Sequence, residues 1–307
     1  LYASLVRDTE MIDITPLDEP LGAEITGLDL SRPLSDEEFV NLESALHDRA
    51  LLIVRDQQQT TPEQHIAFSR RFGDLEVHVQ GSFLLPGFPE IYRISNCIDD
   101  DGKPLGLAEA GRVWHTDLSY MAEPSRCSLL HALEVPQDDT GNPLGDTVFA
   151  NTRLAYAALP DSTKEQIADL RALHRYGYIY DRINAVSKPG RQGLRPLSDA
   201  QKNRVPPCIH PIVIAHPFTD APILFVNDGT TEKIVDIPEA EGGPLLEQLC
   251  QHAIKPDFTY RHRWRVGDLL IWDNIQTQHL AIDDYWLPQR RYMQRTTVKG
   301  GKVRAAA

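Results

Sequence analysis

The sequence predicts a mainly β protein with helical additions, of the β-sandwich or jelly-roll kind. Three observations predict it. Apolar runs of strand length recur along the chain, turn signals rich in Gly, Pro and Asp separate them, and the few helical stretches read as insertions between strands. With 307 residues and 41% hydrophobic content the chain can bury a large core, and an all-β architecture of this length is expected to form one domain over 1–307.

Taken in order, residues 11–30 alternate apolar and polar in places (Ile12, Ile14; Ala23, Ile25), which predicts two short strands. Ser35-Asp36-Glu37-Glu38 is a capping box, and Phe39, Leu42 and Leu46 follow at helical spacing. Leu51-Leu52-Ile53-Val54 reads as a short buried strand. Thr61-Pro62-Glu63-Gln64 opens a second helix, which Gly73 stops. Leu75, Val77 and Val79 alternate with Glu76 and His78, placing His78 on the face opposite the valines. Residues 97–112, rich in Asp and Gly, read as a lid loop. Strands are expected at 127–135 and 146–150 around a polar turn at 137–145, then helices near 152–159 and 163–173. The stretch 174–208 holds many Gly and Pro residues and reads as a second long lid loop. Its cations (Arg175, Arg182, Lys188, Arg191, Arg195, Lys202, Arg204) suggest either attraction of an anion or an ordinary solvated loop. Strands at 211–215 and 223–227, a helix at about 243–254, and strands at 258–264, 267–273, 277–282 and 291–298 complete the chain. No internal repeat is apparent.

A net charge of −13 opposes binding to nucleic acid or anionic lipid over the whole surface. No apolar run is long enough to cross a membrane, and a basic start followed by an apolar stretch is lacking. Four scattered cysteines without a Cys-x-x-Cys pair point to reduced thiols, hence to a cytoplasmic setting.

The chemistry is carried by Trp114-His115-Thr116-Asp117. Residues two apart on a strand share a face, so His115 and Asp117 form a two-point ligand for a divalent metal. A later histidine would complete a two-His, one-carboxylate triad with open positions, as non-haem Fe(II) uses, and His279 is the candidate. A bare His-x-Asp is more often a surface turn. The context strengthens it: Leu269-Leu270-Ile271-Trp272 reads as a buried strand before the second histidine, and Arg291 and Arg295 follow on one strand face, where they could hold an anion. The remaining histidines read as structural. His47, His65 and His252 are expected on helix surfaces or core edges, and His262 on a solvated strand face. His131 and His174 are expected to be structural, and His210 and His216 to punctuate a strand, with a second metal site as the alternative. Trp114 and Trp272 read as core, while Tyr120 and Trp286 are pocket candidates.

These motifs, with Gly145-Asp146-Thr147, Trp272-Asp273-Asn274, Phe68-Ser69-Arg70-Arg71-Phe72-Gly73 and the stretch Tyr285 to Arg295, resemble the taurine dioxygenase / 2,4-dichlorophenoxyacetate dioxygenase family. The resemblance runs from about residue 20 almost to the C-terminus. It implies a double-stranded β-helix core in which His115, Asp117 and His279 hold Fe(II), and 2-oxoglutarate and O2 react to give succinate, CO2 and a hydroxylated substrate. By position, Thr147 and Arg291 match residues that hold the distal carboxylate of 2-oxoglutarate. Arg295 and His78 match substrate-side residues, with Tyr120 a further lining candidate. Gly81 stands where the taurine enzymes carry a tyrosine, so the substrate is expected to be a larger organic anion: an aryloxyalkanoate, alkyl sulfate or sulfonate, or phosphonate. The family also implies a homo-oligomer, dimer or tetramer. Two other classes compete, a metal-dependent hydrolase using the same ligands to activate water and a non-catalytic jelly-roll binding protein.

Overall fold

The computed structural model describes residues 12–186 and 197–306. Its strands are, in chain order, β1 (Asp13–Pro16), β2 (Ala23–Thr26), β3 (Leu51–Val54), β4 (Leu84–Leu85), β5 (Phe88–Ser95), β6 (Cys127–Glu134), β7 (Thr147–Asn151) and β8 (Arg171–His174). They continue as β9 (Cys208–Pro211), β10 (Val213–Ala215), β11 (Pro222–Leu224), β12 (Thr231–Ile234), β13 (Thr259–His262), β14 (Leu269–Asp273), β15 (Thr277–Ala281), β16 (Tyr292–Val298) and β17 (Arg304–Ala305). The helices are α1 (Asp36–Arg49), α2 (Pro62–Ser69), α3 (Thr152–Ala157), α4 (Asp161–Ile167), α5 (Tyr176–Val186), α6 (Asp199–Arg204) and α7 (Glu239–Ala253).

An eight-stranded sheet in the order β1-β2-β3-β14-β6-β16-β5-β4 forms the base. Its neighbours are antiparallel except β2 and β3, which run parallel. The period of two divides its residues between two cores. Leu52, Val54, Leu129, Leu269 and Ile271 pack with Leu42 and Leu46 of α1 and Ile66 and Phe68 of α2. Leu51, Ile53, Leu130, Leu270, Trp272 and Met293 point the other way, onto Phe149 of β7. Strand β7 is the centre of a smaller sheet, β13-β7-β15. A third core, including Leu245, Leu249 and Ala253 of α7, packs beyond it. The site draws on both sheets, with His279 in the middle of β15 and Arg295 in the middle of β16.

The predicted capping boxes are present: Ser35 with Glu38 opens α1 and Thr61 with Gln64 opens α2. Four expectations need correction. Residues 75–79 form no strand, because only Leu75 bridges to Val298. The helix expected at 163–173 ends at Ile167, and Arg171–His174 becomes a strand between β12 and β9, where ladder pairing outweighs local propensity. The stretch 174–208 is not one irregular loop: it holds α5 and α6, while its cations Lys188, Arg191 and Arg195 lie outside the described residues. A short repeat is present after all. Residues 99–106 and 138–145 share Asp-Asp-x-Gly-x-Pro-Leu-Gly and fold alike. In each, the first Asp caps the turn: Asp99 accepts from the backbone N–H of Asp101 and Lys103, and Asp138 from those of Thr140 and Asn142.

Candidate active site

His115 and His279 come from chain segments far apart and are fixed by reciprocal backbone hydrogen bonds, His115 N–H to His279 O (3.2 Å) and His279 N–H to His115 O (2.9 Å). The segment carrying His115 and Asp117 is not a regular strand. The pair to His279 is an isolated bridge, and Leu118 takes a left-handed conformation (φ 56°) that ends the extension immediately after Asp117. The ligand atoms of His115, Asp117 and His279 nonetheless lie within 4.8 Å of one another, and all three residues are buried. This is the one such group among the described residues.

The surroundings orient each ligand. His115 Nδ1 lies 2.9 Å from Val113 O, so Nδ1 carries the proton and Nε2 is left to accept a metal. Asp117 Oδ2 accepts from Ser128 Oγ (2.7 Å), whose oxygen accepts from Asn274 Nδ2 (2.9 Å); Asn274 Oδ1 in turn accepts from Trp272 Nε1 (2.8 Å). The Trp-Asp-Asn motif therefore reaches the carboxylate through Ser128, which sequence reasoning did not single out. Arg295 Nη1 donates to Asp117 Oδ1 (2.7 Å). Burial alone would raise the Asp117 carboxyl, but Arg295, His279 and His115 outweigh it and hold it well below the usual range. Burial lowers His115, with Asp117 opposing. Burial also carries His279 well below an ordinary imidazole, and His115 adds to that shift. An ionised carboxylate between two neutral imidazoles is the donor set a divalent transition metal requires, so these residues fit the ion.

A cavity opens on this triad. His78, Tyr92, Tyr120, Arg295 and the α5 residues Tyr176, Ile179, Tyr180 and Ile183 help to line it. His78 rests against Tyr92 with ring centroids 4.3 Å apart, and burial, assisted by Arg295, lowers its imidazole to about 3. Tyr120 stacks on Tyr176 at 4.4 Å. Gly81 is exposed and is not among the lining residues, and a Cβ added there would meet open space. Trp286 is exposed as well, so of the two pocket candidates only Tyr120 faces the cavity. Trp272 is buried in the core as expected, whereas Trp114 is only partly buried.

Arg291 and Thr147 do not line this cavity. Arg291 is buried, and its Nε has no hydrogen-bond partner among the described residues, which leaves a donor available to an anion. Its backbone is clamped on both sides, with Arg291 N–H donating to Asn96 Oδ1 (2.8 Å) and Ser95 Oγ donating to Arg291 O (2.8 Å). Gly145 lies against it: φ is +72°, and a Cβ there would stand 2.8 Å from the Tyr285 ring and 3.3 Å from Arg291 Cδ, so only glycine fits. Thr147 Oγ1 accepts from Trp264 Nε1 (3.0 Å). Arg290, by contrast, is exposed and paired through two bonds with Glu134.

Other expectations are redrawn here. His262 is fully buried and bonded through Nε2 to Asp268 Oδ2 (3.0 Å), not solvated. His65 is buried in the core and not at its edge. His210 Nε2 bonds Met121 O and His216 Nε2 bonds Asp273 Oδ2, so each has a structural partner and they form no second metal group among the described residues. Arg175, Arg182 and Lys202 are engaged by Glu232, Asp228 and Asp199, which offsets much of the positive charge expected to attract an anion.

The chain is similar to known proteins over nearly its whole length. The family profile described as "Taurine catabolism dioxygenase TauD, TfdA family" matches residues 13–297. The alpha-ketoglutarate-dependent 2,4-dichlorophenoxyacetate dioxygenase of Cupriavidus pinatubonensis is 32% identical over 295 residues, 92% of this chain and 96% of that protein. The alkylsulfatase of Acinetobacter baylyi is 29% identical over 293 residues, covering 95% and 86%. The crystal structure of AAD-2 in complex with Mn(II) and N-oxalylglycine superimposes with a TM-score of 0.75 at 32% identity, covering 97% of this chain and 100% of that one. With this extent of match on top of the buried triad, the chain belongs to the taurine catabolism dioxygenase TauD, TfdA family and is a 2-oxoglutarate-dependent dioxygenase.

Proposed function

We propose that the chain hydroxylates a small organic anion with Fe(II), 2-oxoglutarate and O2, releasing succinate and CO2. The observation that carries this is the buried His115, Asp117 and His279 group, with ligand atoms within 4.8 Å. When bound, Fe(II) with 2-oxoglutarate and O2 supplies the oxidising power to break a substrate C–H bond. His115, Asp117 and His279 hold the ion from one side, and the Ser128 and Arg295 bonds keep the Asp117 carboxylate ionised and aimed. Arg291, with an unpaired Nε in a buried setting, and Thr147 take the distal carboxylate of 2-oxoglutarate.

Arg295 and His78 face the substrate's anionic group, and Tyr120 lines its path. The tyrosines and isoleucines of the cavity wall exclude water from the reacting carbon. An aryloxyalkanoate or alkyl sulfate fits this reading best, because an apolar, aromatic wall faces Arg295, the one arginine or lysine lining the cavity among the described residues, and because relatives are named for both substrate classes. The eight-stranded sheet packed through Phe149 onto β13-β7-β15 supports a double-stranded β-helix core.

The test is succinate release with Fe(II), ascorbate and 2-oxoglutarate over a panel of aryloxyacetates, aryloxypropionates, alkyl sulfates, sulfonates and phosphonates, with His115→Ala as the blank. Stimulation by one class, absent in the blank, is expected. No succinate from the wild type under any condition would sink the reading.

A further inference from the structure

We propose that a second cavity, between α5 and α6, is the seat of the substrate's apolar tail, and that Tyr180 is the partition that sets how long that tail can be. This rests on the reading of the His115, Asp117 and His279 site as the reaction centre for an organic anion.

The cavity over the triad has a volume of about 70 Å³, and the second cavity about 280 Å³. Sites for small molecules run to roughly 300–1,000 Å³. The inner cavity alone is far below that range, and the two together reach its lower end. Among the described residues Tyr180 is the one that lines both. An anion held at Arg295 with a carbon over the triad must send the rest of its bulk elsewhere, and the α5 wall is where a larger space adjoins.

The chemistry of the outer cavity selects an uncharged tail. Leu197, Val205, Pro207 and the Tyr180 ring contribute to a mainly apolar lining. Among the described residues its two cations are already engaged, Arg175 by Glu232 and Asp181 and Lys202 by Asp199, so a second anionic group gains little from them. The partition is held shut by a relay of hydrogen bonds. Tyr92 Oη donates to Gln80 Oε1 (3.0 Å), Gln80 Nε2 donates to Tyr180 Oη, and Tyr180 Oη meets Tyr176 Oη at 3.2 Å. Gln80 thus ties Tyr180 of α5 to Tyr92 of β5, two residues that line the inner cavity. Short anions fit behind the closed ring, whereas a longer tail requires Tyr180 to leave Gln80 and turn aside.

The experiment measures kcat/KM by succinate release for two graded series, n-alkyl sulfates from butyl to decyl and 4-alkylphenoxyacetates from methyl to hexyl, and binding of the same compounds by calorimetry. Tyr180→Ala is expected to raise the long-to-short ratio of kcat/KM by about tenfold or more, with KM for 2-oxoglutarate changed less than twofold. Adding Val205→Trp, which fills the outer cavity, is expected to abolish that gain. Tyr180→Phe, which keeps the ring and loses the hydroxyl that meets Gln80 and Tyr176, is expected to shift the ratio in the same direction by a smaller factor. It also keeps the idea testable by calorimetry if the alanine variant fails to fold. An unchanged ratio in both Tyr180 variants, or a gain that survives Val205→Trp, overturns the proposal. Absence of succinate from the wild type with every compound would instead remove the reading on which it rests.

Discussion

Two adjacent arginines, Arg290 and Arg291, carry the same charge and differ only in where the chain leaves them. Arg290 is exposed and satisfied by Glu134, an arrangement that contributes little. Arg291 is buried with its backbone clamped by Asn96 and Ser95 and its Nε unpaired. Leaving the 2-oxoglutarate carboxylate without this partner is expected to cost roughly 3–5 kcal/mol, as for a broken buried ion pair. Steady-state kinetics should therefore show Arg291→Ala raising KM for 2-oxoglutarate by about a hundredfold or more. Arg290→Ala should stay within about twofold, and the reverse ranking would reassign the anion seat. In the sequence the spacing of Arg291 to Arg295 favours Arg291 without settling the choice, because four residues on a strand return to one face, whereas in the structure Arg291 stands just before β16 with a register shift between Tyr292 and Met293. What the sequence did not carry is the Arg295 bond to Asp117, since that pair is 178 positions apart and meets where Ser128 of β6 holds Asp117 and β16 lies beside β6.

Helix α5 is the element that turns a metal triad into an enclosed site, and it is the element sequence reasoning missed. Tyr176, Ile179, Tyr180 and Ile183 stand at helical spacing and line the cavity together, so the signal was present. Gly177 inside the stripe and the Gly- and Pro-rich residues downstream obscured it. The triad, by contrast, was legible because two ligands sit in one triplet and the third beside a strongly apolar strand. The helix is stapled from outside by Arg182 to Asp228 and by Arg175 to Glu232. The Arg182 pair is about a third exposed, so it contributes on the order of 0.2–1 kcal/mol. That is enough to change how often α5 lifts without unfolding the protein. Arg182→Ala is expected to raise KM for the organic anion a few-fold, leave KM for 2-oxoglutarate unchanged, and speed deuterium exchange of residues 176–186. Equal effects on both KM values would mean that α5 does not act on the substrate side alone.

At the scale of the whole molecule, buried histidines tie stability to pH. Helix spacing left His65 at a core edge in the sequence reading, but the eight-stranded sheet buries it, with Nε2 3.2 Å from Thr296 Oγ1 and Nδ1 unpartnered. His174 is also fully buried, with its Nε2 unpartnered. Burial lowers both imidazoles to about 3, and in each case a neighbouring histidine, His131 or His210, acts in the same direction. The folded state therefore keeps them neutral where the unfolded chain, titrating near 6.5, takes up protons. Between about pH 6.5 and 3 the unfolded state binds more protons, so stability is complete above that window and falls as pH drops through it. At about 1.4 kcal/mol per pH unit and group, the two histidines together remove roughly 4 kcal/mol of unfolding free energy between pH 7 and pH 5. Denaturant unfolding at the two pH values measures this directly. His65→Gln, which retains an amide near the position of Nε2, should reduce the pH-dependent loss by about 2 kcal/mol, half of the share of these two histidines. A loss that is unchanged in this variant would place the linkage in other groups.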